Sequence, residues 1–457
     1  MNLKKEPCQL LLPAALLVVL LSTGCVGIPR SGERQARRDV AAVADIYRPQ
    51  NQAPALPELT PDSSLSNVLV YAMLSQPKVE AAYYDWAAAV EKITVDRSLP
   101  DPKLTFESDI ADIVMTLMPG LMQEFPGPGK LKAAANAATA ASRVKYFNFE
   151  SAVLQSAFDL KRSYYNLHFL DERIRINRQT LQLLGGLEKI ARAQNEVGKV
   201  TLQDVYRAQI EQGQLATEIS NLEDSRRPLL AQYKAALGLT HDWPDPPAPS
   251  GFAPTSLGLD ADELLATAFA RNPQLKAMEA EVRMAEADIA LARKSRVPDF
   301  SLGLMADAKA SPTMYRPQAS MTLPIWRDKI AAEIARAQAG KRAAEARLKS
   351  DQIMLAVDVA MKTYEYREVT RNLALLQNKL VPKARQSLEI ARSGYLAGEI
   401  DFFNLIDAER TLLNFQLQEV ESRTRREIVL AELSLVIAGV PPPGAPVLRP
   451  AQSNESH

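Results

Sequence analysis

Few side chains in this sequence are spaced for chemistry. The three histidines, His168, His241 and His457, lie far apart, and none falls in the Cys/His/Glu spacing of a zinc site. The run "PGPGK" ends at Lys130, but Leu131 follows where a phosphate loop needs Ser or Thr. No G-x-S-x-G nucleophile elbow occurs. Carboxylates are plentiful but scattered along helical stretches, where a solvated face needs them. The pattern offers no catalytic centre, no metal site and no cofactor site, so a non-enzyme is expected.

One phrase repeats with a polar rhythm of its own. "EVGKVTLQDVYRAQIEQ" carries Gly198 and "AGEIDFFNLIDAERTLL" carries Gly398, 200 positions later. Each glycine permits backbone conformations that other residues resist, so each could end one helix and turn the chain into the next. An ordinary helix C-cap would need no more than that. After Gly398, the residues Ile400, Asn404 and Asp407 are spaced i, i+4, i+7 and would line one helix face. Asp401 would lie on a different face. Asp204 and Asp407 also fall near helix starts, where the helix dipole by itself favours carboxylates.

The elements that carry these phrases recur. Pro77 matches Pro273, Pro100 matches Pro298, Pro126 matches Pro324, Gly198 matches Gly398 and Gly238 matches Gly439. The offsets are 196, 198, 198, 200 and 201 residues. A slowly drifting offset is what small loop insertions produce, whereas chance matches scatter. Two tandem repeats are therefore expected, at 62–240 and 259–440, joined by the proline-rich connector 241–258. Residues 25–61 read as an extended linker, with Pro49, Pro54 and Pro57, and 441–457 as a tail.

Each repeat alternates apolar and polar residues over one short stretch, at about 102–126 and 299–325. Leu104 and Phe106 oppose Thr105, Glu107 and Asp109. Phe300, Leu302, Leu304 and Ala306 oppose Ser301, Gly303, Met305 and Asp307. Each repeat thus supplies one hairpin, four strands in all. Two isolated hairpins are not stable sheets, so they are expected to meet each other and further strands from other chains. The helical runs from Lys130 to Asn195 and from Asp328 to Ala397 are far longer than globular domains hold. At 1.5 Å per residue each is roughly 100 Å long. Pro382 should kink or split the second run.

With 54 basic and 54 acidic residues, the chain has no electrostatic footprint for nucleic acid. The N-terminus reads as a secretory signal over 1–24, with Lys4 and Lys5 before "LLLPAALLVVLL". The signal ends in "LSTGC", which resembles the lipobox of bacterial lipoproteins. That resemblance implies acylation of Cys25; plain signal cleavage nearby is the alternative. Cys8 lies in the signal, so the mature chain keeps Cys25 alone and forms no internal disulfide.

Lipobox, two repeats, a hairpin between a shorter and a very long helix, and the paired glycine phrases together resemble the TolC-type outer-membrane efflux channels. "MQEFPGPGKLKAAANAA" and "ARSGYLAGEIDFFNLIDAERTLL" most resemble the branch paired with heavy-metal and multidrug resistance-nodulation-division pumps. The resemblance implies a mainly α fold with a small β part. Long antiparallel coiled-coil helices would form a periplasmic α-barrel. Four strands per chain would contribute to a trimeric 12-stranded outer-membrane β-barrel. It also implies a homotrimer in outer-membrane lipid, working with a periplasmic adaptor (a membrane fusion protein) and an inner-membrane pump. Gly198 and Gly398 would be turns at the periplasmic end. Asp407 would form a charged ring at a gate, with Asn404 replacing a second acidic residue and Ile400 replacing a basic latch. Tyr395 and Asp204 match positions of an inter-helix hydrogen-bond network there. The competing reading is a lipid-anchored periplasmic coiled-coil adaptor or scaffold. An adaptor has one helical hairpin flanked by β-rich domains, whereas this chain has two helical units with hairpins inside.

Overall fold

The computed structural model describes residues 29–60, 62–111, 114–247, 257–258, 260–307 and 312–437, without the side chains of residues 51 and 108–117. The signal, Cys25, the tail 441–457, Gly439, His457 and the middle of the connector lie outside the described residues. Helix α1 (Ser31–Tyr47) comes first, then α2 (Leu65–Ser75) and α3 (Pro77–Arg97). Strands β1 (Lys103–Ala111) and β2 (Val114–Phe125) follow, then α4 (Lys130–Glu196) and α5 (Leu202–Ala236). The order then recurs as α6 (Ala261–Arg271), α7 (Pro273–Arg293), β3 (Phe300–Asp307), β4 (Met314–Met321) and α8 (Arg327–Leu375). A π-turn at Leu376–Leu380 joins α8 to α9 (Val381–Ala397), and α10 (Phe402–Val436) completes the series.

Matching helices have matching lengths. Helices α2 and α6 have 11 residues, α3 and α7 have 21, and α5 and α10 have 35. The break before each 21-residue helix is fastened alike. Gln76 donates its side-chain N–H to the carbonyl of Ala235 at 3.0 Å, and Asn272 donates to Val436 at 2.8 Å. Each ties a chain break to the C-terminal end of a 35-residue helix, satisfying carbonyls that have no partner within that helix.

The two repeats expected from the sequence are not the compact units of the fold. One unit comprises Ala87–Arg143, Arg283–Arg342 and the segment ending at Val40. The other comprises Ala41–Trp86, Val144–Val282 and the segment starting at Ala343. Each draws on both repeats. In the first unit the two hairpins meet as one antiparallel sheet in the order β1-β2-β3-β4. Leu121 stands opposite Leu104 on one side and Leu304 on the other, and Phe125 opposite Phe300. Asp299 pins this junction, accepting from the Gly127 N–H at 2.7 Å and from Lys130 Nζ at 2.8 Å.

The reading of 25–61 as extended is corrected by α1, which begins only six residues after Cys25. Two acidic residues hid its period. Glu33 and Asp39 share the buried face with Val43 and Tyr47, where a sequence reader expects only apolar side chains. Glu33 is 1% exposed and forms an ion pair with Arg97 Nε at 2.7 Å. Burial pushes its carboxyl up, but Thr94, Arg97 and Arg37 outweigh this and hold it below the ordinary value.

The second unit is helical. Trp86 stacks on Phe149, with ring centroids 5.8 Å apart, and Tyr47 packs edge-on to the same Phe149. Further along, Tyr164 and Tyr165 of α4 join Leu69 of α2 and Tyr233 of α5 in one apolar cluster. The π-turn accounts for Pro382. Pro382 has no N–H, and its ring would press on the carbonyl four residues earlier in an unbroken α-helix. The wider turn donates the Val381 N–H to Leu376 instead. The helix therefore continues through the proline without ending. Among the described residues no helix is long and apolar enough to cross a membrane.

Candidate functional site

The two glycine phrases build two similar reversals. Gly198 has φ 72° and Gly398 has φ 78°, both left-handed. Lys199 N–H donates to the carbonyl of Gln194 and Glu399 N–H to that of Gly394, at 2.9 and 2.8 Å. Both are Schellman C-caps, which satisfy the last carbonyls of α4 and α9. A Cβ at either glycine would meet nothing within 4 Å. Glycine is needed there for backbone conformation alone. The next helices start four residues on. Asp401 caps α10, accepting the Asn404 N–H at 2.8 Å, whereas the Thr201 side chain makes no cap bond to α5.

A shared core holds the reversals together. Leu184, Leu187 and Ala191 of α4 pack with Val205 and Ala208 of α5, with Ala384, Leu388 and Tyr395 of α9, and with Phe402, Leu405 and Leu412 of α10. Tyr395 is 2% exposed, its ring 5.3 Å from Phe402. Burial first, and then the charge of Asp204, push its hydroxyl up to about 12. Asp204 is half-buried and its carboxyl is raised, mainly by burial, with Arg207 opposing and Asp401 adding to the effect. Tyr395, Asp204 and Asp401 are thus brought together across the two reversals. The expected hydrogen bond is not formed, for the Tyr395 hydroxyl has no partner among the described residues.

The expected face of Ile400, Asn404 and Asp407 holds only in part. Asn404 and Asp407 are exposed on the first turns of α10. Ile400 precedes the cap and is half-buried against Gly394, where even a Cβ would lie 2.6 Å from its Cδ1. An apolar residue just before an N-cap turns back onto its own hairpin, so helix spacing does not apply to it. Asp401 proves to be the cap rather than a residue on another helix face.

Three residues escaped the sequence reading. Glu409 is 3% exposed, on the same stripe as Phe402, Leu405 and Leu412. The spacing of 3, 4 and 3 could have revealed it as an acid in a core position. Its neighbour Arg410 forks onto Glu211 of α5, bonding both carboxylate oxygens. Such pairing between distant residues leaves no local trace in sequence. Asp407 contributes to the field that raises the Arg410 guanidinium, after its bond to Glu211, the opposing effect of burial and the Glu211 charge.

Residues 264–439 match the outer membrane efflux protein family. The chain is 22% identical over 392 residues to the cobalt-zinc-cadmium resistance protein CzcC of Cupriavidus metallidurans, covering 82% of this chain and 90% of that one. Its fold is similar to the CmeC outer membrane channel of Campylobacter jejuni, with a TM-score of 0.73 and 14% identity, covering 84% of this chain and 89% of CmeC. It is also similar to the open state of the MtrE outer membrane channel of Neisseria gonorrhoeae, with a TM-score of 0.68 and 16% identity, covering 85% and 96%. Residues 264–439 thus match the outer membrane efflux protein family, and the chain has the fold of these outer membrane channels.

Proposed function

We propose that this chain is the outer-membrane duct of a tripartite efflux system. Three copies form a passive export channel that reaches into the periplasm and joins an inner-membrane pump of the resistance-nodulation-division type through a periplasmic adaptor. The observation that carries this reading is the sheet. Leu104, Phe106, Leu302 and Leu304 stand exposed on one face, the first two 65% and 62% exposed. Among the described residues β1 and β4 each pair on one side only. An apolar outer face with two open edges suits closure into a barrel in lipid, which satisfies every backbone group. Thr105 and Ser301 would then face a wet lumen, with Arg316 and Asp307 paired beside them at 3.5 Å. Twelve strands in a trimer follow from four per chain.

The recurring element lengths support descent from a duplicated unit. The likeness to CzcC favours divalent metal ions as cargo, although in such an assembly the pump selects and the duct only passes. Purified protein reconstituted in a planar bilayer should conduct ions and should cross-link as a trimer. A water-soluble, electrically silent monomer would overturn this reading in favour of a periplasmic scaffold.

A further inference from the structure

The apolar surface of the sheet does not stop where its strands do. Phe125, Phe300 and Met321 stand opposite one another at one end of β2, β3 and β4, on the face that carries Leu104. Beyond Met321 the chain runs on to α8 through Leu323, Ile325 and Trp326, which are 64%, 65% and 72% exposed. Trp326 is the most exposed large apolar side chain among the described residues. This link is not a loose loop. Thr322 is fastened to Asp299, its N–H donating to the Asp299 carbonyl at 2.9 Å and its hydroxyl accepting the Asp299 N–H at 2.8 Å. Two tight turns follow, with the Ile325 N–H donating to Leu323 at 2.8 Å and the Arg327 N–H to Ile325 at 2.9 Å. Arg327 and Lys329 then open α8, both exposed, with Asp328 between them.

Two further observations set this link at a membrane boundary. Strands β3 and β4 have 8 residues each. A strand of that length runs roughly 24 Å. Tilted at about 45° it rises only about 17 Å, whereas the apolar band of a barrel in lipid is about 25 Å tall. The N-terminal helix also starts at this level. Glu33 of α1 pairs with Arg97, the last residue of α3, and β1 begins six residues after that. Cys25 precedes Ser31 by six residues, a reach of at most about 21 Å. A lipid on Cys25, as the LSTGC motif implies, enters the bilayer near the same strand ends.

We propose that the link between β4 and α8 is a lipid-binding surface. Leu323, Ile325 and Trp326 lie in the boundary between headgroups and acyl chains of the periplasm-facing leaflet, and Arg327 and Lys329 bind the phosphates of its phospholipids. The link then supplies at β4 the apolar height that the short strand lacks. A tryptophan suits this depth because its ring is apolar while its N–H stays wet. Arg327 and Lys329 carry the donors and charge that phosphates take. The placement rests on the duct reading, since a chain outside the membrane meets no leaflet.

The test uses full-length protein in phospholipid vesicles whose acyl chains carry bromine, a fluorescence quencher, either near the headgroup or near the methyl end. Trp243→Phe removes the other exposed tryptophan, and buried Trp86 stays as a constant background. Comparison with the Trp243→Phe, Trp326→Phe double variant isolates the Trp326 emission. Bromine near the headgroup should quench that emission about twofold, and bromine near the methyl end much less. Acrylamide in the water should quench it little. Quenching by acrylamide alone places the link in water, and quenching by neither agent means that a neighbouring copy covers it. Either result overturns the proposal, and so does stronger quenching from the methyl end. For the headgroup contact, phosphatidylglycerol added in neutral detergent should raise the thermal midpoint of the parent protein. Arg327→Gln with Lys329→Gln should lose most of that rise; no rise in the parent, or a rise that survives both changes, overturns the contact. Planar-bilayer conductance tells the two readings apart. Conductance without lipid quenching sinks the placement alone. Absence of conductance sinks the duct reading, and lipid quenching then still locates the surface.

Discussion

At the residue scale, Asp407 is an exposed carboxylate one turn from the clasped Arg410. In a trimer, three copies around one axis would share a narrow space with little bulk water, where the effective dielectric falls and charges act more strongly. Asp407→Asn is expected to weaken cation selectivity and block by multivalent cations in bilayer recordings, with the trimer intact. Asp401→Asn should do much less, because asparagine also caps a helix. Equal effects at both positions would place the ring elsewhere. Tyr395 yields a second expectation. Its buried hydroxyl has no partner among the described residues, so removing it leaves no new group unsatisfied there. Tyr395→Phe should change stability by no more than about 1 kcal/mol, and in the favourable direction. A loss above about 2 kcal/mol in denaturant unfolding would mean that assembly supplies a partner.

At the scale of elements, the π-turn at Leu376–Leu380 and Pro382 depend on each other. The wide turn accommodates one extra residue, and the proline forbids the regular helix that would replace it. Deleting the exposed Asn378 should regularise the turn and drive the proline ring against the preceding turn, at a cost of about 3 kcal/mol. Deletion combined with Pro382→Ala should recover most of that loss. Thermal unfolding of the two variants checks this, and equal loss in both would show that the wide turn has another cause. The long helix before the turn was legible because no proline falls between Arg327 and Leu375 and its lone Gly340 does not break the run of helix formers. Helix α1 was not legible, because its buried face is completed by Glu33 and its distant partner Arg97.

At the scale of the whole molecule, membrane attachment has two independent sources in the proposed assembly, a barrel and a lipid. Cys25→Ser should abolish metabolic labelling with a fatty acid while leaving the protein in the outer membrane. Labelling that persists would refute acylation at Cys25. Loss from the membrane would show that the barrel does not hold the chain by itself. The physical ground for expecting retention is the sheet: its apolar face and open edges are satisfied together only when the barrel closes in lipid.

The sequence by itself determined the helices other than α1, the strands and their apolar faces, and the two glycine reversals. These are local properties: side-chain period, the missing N–H of proline and the left-handed freedom of glycine act within a few residues. Tertiary structure alone decided that the compact units cut across the two expected repeats. It also decided that Ile400 turns onto Gly394, that Tyr395 and Asp204 approach without bonding, and that Arg410 pairs with Glu211 of α5. Such choices depend on burial and on charges contributed by distant segments. A carboxylate looks the same in sequence whether water, an arginine or an apolar core surrounds it, and only folding sets that environment.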